Sequence, residues 1–384
     1  MLVITAGTLF FISIFMIFYI YLGYPLLVFV WAHMNGKSIK KSQIFPSVSI
    51  LISAFNEEEH IENTILNKLQ LDYPKEKLQI IVISDGSTDK TDEIVKRYES
   101  ECVQLIRQYP RAGKTSALNL AAPHAKGDIL VFSDANSIYA SDALRHLVAN
   151  FSDPSVGYVT GKMIYTRVDG RAMGEGCSTY MKYENFLRHY ESLLGSIVGV
   201  DGGIDACRKE LYQPMNPDQL PDFVLPLKVV AQSYRVVYEE KALLKEPSLS
   251  ASIDEYRMRV RVALRALWAL NDMKHLLSFA RTGIFAWQLW SHKVLRYLGF
   301  CFLFVVYISN LILITSAPIF KLLFIAQNIL YLGATASPFF EKKGFNFKLM
   351  YFVFYFSLVN IAFAHALMRF ILRQKQILWT PRVG

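Results

Sequence analysis

The chain has 384 residues, 53% of them apolar and 14% aromatic, with a formal net charge of +9 and a mean hydropathy of +0.25. This composition fits one soluble domain joined to membrane segments better than two soluble domains. The positive balance reads as Lys and Arg beside anionic lipid and not as a nucleic-acid surface, since no basic run is interleaved with aromatics.

Val3 to Trp31 is apolar and uncharged, long enough for the ~20 residues of a spanning helix. No basic residue precedes it and it is too long for a signal peptide, so a span is expected. Lys37, Lys40 and Lys41 follow, which by the positive-inside rule puts the next segment in the cytoplasm.

Pro46 to about Ala280 reads as an α/β domain. VSILISAFNEEE (Val48 to Glu59), QIIVISDGSTDKT (Gln79 to Thr91) and GDILVFSDANS (Gly127 to Ser137) are apolar runs that each end in a polar cluster. Such runs are buried on both faces in sheets covered by helices, and ligands of open α/β sheets bind at the strands' carboxyl ends. Helical spacing over Glu58 to Gln70, Thr88 to Glu99, Lys114 to Ala122 and Asp142 to Phe151 supplies the alternation that predicts a mostly parallel sheet with helices on both faces. Val103 to Ile106 and Val156 to Ile164 read as further strands, and Glu175 to Leu194 as a long helix. Cys102, Cys177, Cys207 and Cys301 show no CxxC spacing and read as reduced thiols without a metal or disulfide framework.

Ile253 to Leu277 sets Arg257, Arg259, Arg261 and Arg265 among apolar residues and Trp268. This pattern predicts a basic amphipathic helix on the membrane surface, or else a packed domain helix with a solvated basic side. Apolar runs follow at about Leu298 to Ser316, Ile319 to Ala336 and Met350 to Leu372. The expected division is an N-terminal span (1–33), a cytoplasmic domain (46–250), interfacial helices (251–297) and about three C-terminal spans (298–373), with transmembrane helices at both ends. Three spans would put the C-terminus outside, whereas Arg369, Arg373, Lys375 and Arg382 favour inside. Either one run is re-entrant or interfacial, or the charge rule fails here.

With its acidic strand ends, the RAGKTSALN segment and the apolar runs, the chain resembles the membrane-integrated family-2 glycosyltransferases of GT-A fold, which make cell-surface polysaccharides and glycolipids. The resemblance covers Pro46 to about Leu270 and, more loosely, the C-terminal spans. It implies inverting transfer from a nucleotide-sugar, most plainly a UDP-sugar, with Mg²⁺ or Mn²⁺, to a lipid-linked or glycan acceptor at the cytoplasmic face of an inner or plasma membrane.

Residue by residue, Ala54, Asn56 and Glu57 match the donor-nucleotide loop, although acids at a helix start also suit its dipole. Asp85 matches the carboxylate that accepts hydrogen bonds from the uracil ring and its surroundings, with Gly86 keeping the turn open. Ser87 and Asp89 read as caps. Lys114, behind Arg111 and Gly113, matches a cation near the donor diphosphate, and Asn119 reads as a helix-surface amide. Asp134 and Asn136 occupy the DxD position, where hard cations bind one or two carboxylates plus substrate phosphates. Here Asn136 replaces the second acid and offers a neutral carbonyl. Gly202 and Gly203 match an acceptor-side segment. Asp222 matches the catalytic base, with Pro221 in place of the preceding acid; such a base needs a pKa above the ~3.9 of free Asp. The QxxRW motif is eroded to Met258 to Val262, where Arg261 keeps the Arg as a donor contact, and its loss favours single-sugar transfer over processive synthesis. A transporter or scaffold with an inactive nucleotide-binding domain is the rival of another class, disfavoured by the uncharged spans. A nucleotidyltransferase would have no need of Asp222.

Overall fold

The computed structural model describes residues 1–100, 102–166, 175–247, 252–342 and 348–378. One sheet runs through the domain, built from β1 (Val48–Ala54), β2 (Leu78–Asp85), β3 (Val103–Gln108), β4 (Ile129–Asp134), β5 (Ile138–Tyr139), β6 (Val156–Thr166), β7 (Ile204–Arg208) and β8 (Arg235–Pro247). Their order is β3-β2-β1-β4-β7-β6-β8-β5. The β3-β2-β1-β4 half is entirely parallel. The other half is mixed, with β7 antiparallel to β4 and β6, β8 parallel to β6, and β5 antiparallel to β8. The chain enters β7 from the edge where β4 leaves, Ser133 opposite Ile204, and so must run back along it.

Helices are numbered in chain order: α1 (Leu2–Asn35), α2 (Ile61–Leu69), α3 (Thr91–Arg97), α4 (Lys114–Ala121), α5 (Ala143–Ala149), α6 (Glu175–Leu194), α7 (Pro221–Ala231) and α8 (Ser252–Asp272). Alternate strand residues feed two cores. Ile50, Ile52, Ile80 and Val82 pack under α2, α3 and α5; Leu51, Ile81, Leu130 and Phe132 pack under α4, α7 and α8. These side chains are fully buried or nearly so, each worth roughly 1.5–3 kcal/mol of transfer free energy. Both faces are thus covered, as the strand runs required.

Beyond α8, α9 (Ile284–Tyr297) and α10 (Gly299–Leu313) meet at a 55° bend, followed by α11 (Pro318–Lys342) and α12 (Lys348–Ile371). Among the described residues three helices are long and apolar enough to cross a membrane, Leu2–Asn35, Pro318–Ala336 and Phe352–Ile371, with a fourth if the bent pair is one span. The run expected from Leu298 falls on α10, whose 15 residues are short of the ~20 of a span unless α9 across the bend is counted with it.

The basic helix α8 does not lie with its apolar side open. Val260, Ala263, Leu264 and Ala269 are buried in the domain core, and α12 closes the other side through Trp268 on Phe370 (4.7 Å) and Tyr256 on His365. Amphipathic spacing alone cannot tell a protein partner from a lipid surface, and this partner is about 100 residues away. Past α12 the chain returns to the domain. Trp268 Nε1 donates to the Gln374 carbonyl at 2.9 Å, and Lys375 pairs with Asp218 at 2.7 Å. Tail and domain therefore share one side of any bilayer, which requires an even number of crossings between them. Two of the C-terminal helices, Pro318–Ala336 and Phe352–Ile371, are long and apolar enough by themselves for such an even count. Lys343 and Arg382 lie outside the described residues.

Candidate active site

The parallel register sets Ser53 opposite Asp134 and Ala54 opposite Ser84, so β1, β2 and β4 end at one edge. The first two loops there are laced together. Asn56, at φ 52°, donates its N–H to Ser87 Oγ (3.1 Å) and accepts from Thr88 N–H through Oδ1 (2.8 Å). Glu57 N–H donates to Thr91 Oγ1 (2.9 Å). Asp89 accepts from Thr91 N–H (3.0 Å) and Glu58 N–H (3.0 Å), the capping role expected of it.

Asp85 is fully buried, and its Oδ1 accepts from Gln108 Nε2 (2.5 Å) and Ala112 N–H (2.8 Å) while Oδ2 accepts from Gly113 N–H (2.9 Å). Its oxygens are turned onto the Arg111–Gly113 loop, so it positions that loop. Gly86, at φ 71°, is closed over by Arg111, whose Cβ would lie 3.2 Å from an added Cβ. The Arg111 guanidinium in turn stacks 3.3 Å from the Phe55 ring centre.

The loop pinned by Asp85 delivers Lys114, the first residue of α4, between two carboxylates. Its Nζ is 2.6 Å from Asp134 Oδ1 and 3.5 Å from Asp222 Oδ1. Burial would lower the Lys114 pKa, but Asp134, Asp222 and Asp205 outweigh it and hold the ammonium above its usual value. Asp222 sits in the first turn of α7 behind Pro221, where the helix dipole favours a carboxylate, and 25% of its side chain stays exposed. Burial still raises its pKa; Lys114 pulls it down, Asp134 pushes it up and Arg265 pulls it down. Gly202, at φ 91°, lies against this carboxylate: an added Cβ would come within 2.6 Å of Oδ2. Gly203 is interior. Its carbonyl accepts from Tyr139 OH (2.8 Å) and an added Cβ would strike Leu244 at 2.7 Å, so it supports the site from behind.

Asp205, Arg265 and Lys68 also contribute to the site. Asp205, on β7, is buried; burial, then Asp222, push its pKa up to about 8 against the Thr160 and Tyr158 hydroxyls. An acid inside the apolar run Ile204–Cys207 was the available signal. Arg265, one turn beyond the half-buried Arg261, is buried and donates to Thr115 Oγ1 (2.7 Å) and the Gln219 carbonyl. Burial and Arg261 bring it down to about 10. Lys68, also fully buried, donates to the Ser137 carbonyl (2.6 Å) and fixes the turn carrying Asn136. Asn119 is no surface amide: it donates to the Met215 carbonyl (2.7 Å) and accepts from Tyr212 OH (2.9 Å).

Among the described residues no three His, Cys, Asp or Glu side chains are grouped to hold a metal alone. Asp134, with a third of its side chain exposed, and the amide of Asn136 two residues on are hard oxygen donors at the open edge. They suit a cation that takes few protein ligands and completes its shell with phosphates and water. Lys114 supplies compensating positive charge at the same place.

Residues 49–213 match the model of glycosyl transferase family 2, a stretch that includes Asp85, Asp134 and Asp205 but stops short of Asp222. The poly-beta-1,6-N-acetyl-D-glucosamine synthases of Staphylococcus aureus (strain COL) and Staphylococcus epidermidis are 28% and 25% identical over 272 and 273 residues. Each match covers 66% of this chain, which spans 64% of the length of those relatives. The mannosyltransferase PcManGT from Pyrobaculum calidifontis, solved in complex with GDP-Man and Mn²⁺, shares the fold, with a TM-score of 0.72, 21% identity, and coverage of 97% of this chain and 99% of that one. Residues 49–213 thus carry a glycosyl transferase family 2 domain, on a GT-A-type sheet flanked by apolar helices at both ends of the chain.

Proposed function

We propose that this chain transfers a sugar, with inversion, from a nucleotide-sugar to a lipid-linked or glycan acceptor at the cytoplasmic face of a membrane, in cell-surface polysaccharide or glycolipid synthesis. The observation that carries this reading is Lys114 bridging Asp134 and Asp222. It brings the diphosphate end of a donor and the base for an acceptor into one cleft. Asp222 accepts the proton of the acceptor hydroxyl as that oxygen bonds to the anomeric carbon. The anomeric C–O bond breaks and its electron pair leaves with the nucleoside diphosphate. The raised pKa of Asp222 makes it a stronger base than a free carboxylate. Mg²⁺ or Mn²⁺, held by Asp134 and Asn136, would supply charge neutralisation for the departing diphosphate. Lys114 is the protein's own cation for the same oxygens, and the Asn56–Glu57 loop at the strand edge suits the nucleoside.

The test is a panel of nucleotide-sugars with purified protein and Mg²⁺ or Mn²⁺, scored for released nucleoside diphosphate. Asp222→Asn is expected to lower turnover by about 10²–10⁴-fold; retention of wild-type turnover would remove Asp222 as the base. Processive synthesis is a second reading, favoured by the likeness to the staphylococcal poly-beta-1,6-N-acetyl-D-glucosamine synthases. Sizing labelled products separates one added sugar from a ladder.

A further inference from the structure

We infer that the C-terminal tail, Gln374–Leu378, is a positioning strap of the active site, holding the donor-side cation and the base-bearing loop in register. The inference rests on the reading of the site given above. The tail is not a frayed end. Arg373, at φ 56°, turns the chain as α12 stops, and Gln374 N–H bonds back to the Arg369 carbonyl (2.9 Å). Arg369 then grips the tail twice, at Gln374 Oε1 (2.9 Å) and Gln376 Oε1 (3.2 Å). Trp268 holds the Gln374 carbonyl, and the Lys375 ammonium lies 5.0 Å from the Trp268 ring centre.

From this anchored course the tail reaches both arms of the site. At Gly113 a Cβ would sit 2.9 Å from the Ile377 carbonyl oxygen; Gly113 is the residue before Lys114, and its N–H is held by Asp85. On the other arm Lys375 pairs with Asp218. The next residue, Gln219, offers its carbonyl to Thr115 Oγ1 (3.0 Å) and to Arg265, and Thr115 is the residue after Lys114. Lys114 is thus flanked by one residue packed under the tail and one tied to the loop the tail grips. That loop runs straight into Pro221 and Asp222.

A strap of this kind acts on donor binding more than on chemistry. An exposed Lys–Asp pair contributes only ~0–1 kcal/mol to folding, and the Lys375 side chain is 55% exposed, so removing it leaves the fold intact. The test uses the full chain in detergent or nanodiscs, with Lys375→Glu, a chain ending at Arg373, and the charge-swapped Lys375→Glu/Asp218→Lys. Hydrogen exchange of the peptide spanning 109–118 is the deciding measurement. In Lys375→Glu and in the shortened chain the amides of Ala112 and Gly113 are expected to exchange at least several-fold faster, with the charge swap restoring slow exchange. The donor KM is expected to rise three- to tenfold with kcat within twofold. If the shortened chain is not recovered folded, Lys375→Glu alone decides. Exchange unchanged in Lys375→Glu would overturn the strap, whatever the kinetics. If wild-type protein turns over no nucleotide-sugar while Lys375→Glu still loosens the loop, the strap stands and the transferase reading falls.

Discussion

Lys114 keeps three carboxylates compatible in one cleft, and its removal has a defined sign. The ammonium lowers the Asp222 pKa that burial and Asp134 raise. A base must be ionised to work, so activity falls as pH drops through the Asp222 value. In Lys114→Met that acid limb of the kcat/KM profile is expected to move to higher pH, with activity at neutral pH down at least tenfold; an unmoved limb would mean Asp222 is not the titrating base. Asp205 acts on stability instead. Its folded pKa, about 8, lies above the ordinary 3.8, so its contribution is complete below 3.8 and is lost as pH rises through about 8. Melting temperature is therefore expected to decline from pH 6 to 9, and Asp205→Asn to flatten that decline.

At the scale of elements, the turn before β7 is built around an absent side chain. Gly202→Ala puts a methyl into the Asp222 carboxylate at a positive φ, a strain of about 1–3 kcal/mol. It is expected to lower the melting temperature and to reduce turnover more than donor affinity, which calorimetry and initial rates resolve. Much of this level was legible in the sequence. Strands with apolar residues on both faces announce themselves by composition, and polar clusters at three strand ends pointed to Asn56, Asp85 and Asp134, while Lys114 and Asp222 came from the family resemblance. What stayed hidden depends on chain reversal and long-range packing. Nothing local in Ile204–Arg208 says that β7 runs against β4. Nothing in the Arg repeat of α8 says that Arg265 turns inward to Thr115, 150 residues away. Asp85 stood out as a strand-end acid, but the N–H groups of Ala112 and Gly113 that bond to its oxygens are invisible in side-chain identities.

For the whole molecule, the apolar helices and the domain are one body joined by buried polar contacts. Glu191 on α6 accepts from Tyr24 on α1, meets His292 on α9 at 2.7 Å and accepts from Val198 N–H (3.1 Å). His292 and Arg296 also reach Glu184, at 3.3 and 2.6 Å. Removing one member of such a buried set costs about 3–5 kcal/mol. Glu191→Ala is therefore expected to lower the detergent melting temperature clearly while leaving isolated surface pairs such as Arg145–Asp72 irrelevant; an unchanged melt would mean the helices and the domain are independent bodies.

The first helix also sets a height. At 1.5 Å per residue, its 34 residues extend about 51 Å, some 20 Å more than the ~30 Å hydrocarbon slab. The surplus is not slack, because Tyr24 and Val28 are locked against Leu187 of α6. The domain thus rides on a stiff post of fixed length, and a lipid-anchored acceptor, if the proposed reaction uses one, must bring its reactive hydroxyl to that one elevation.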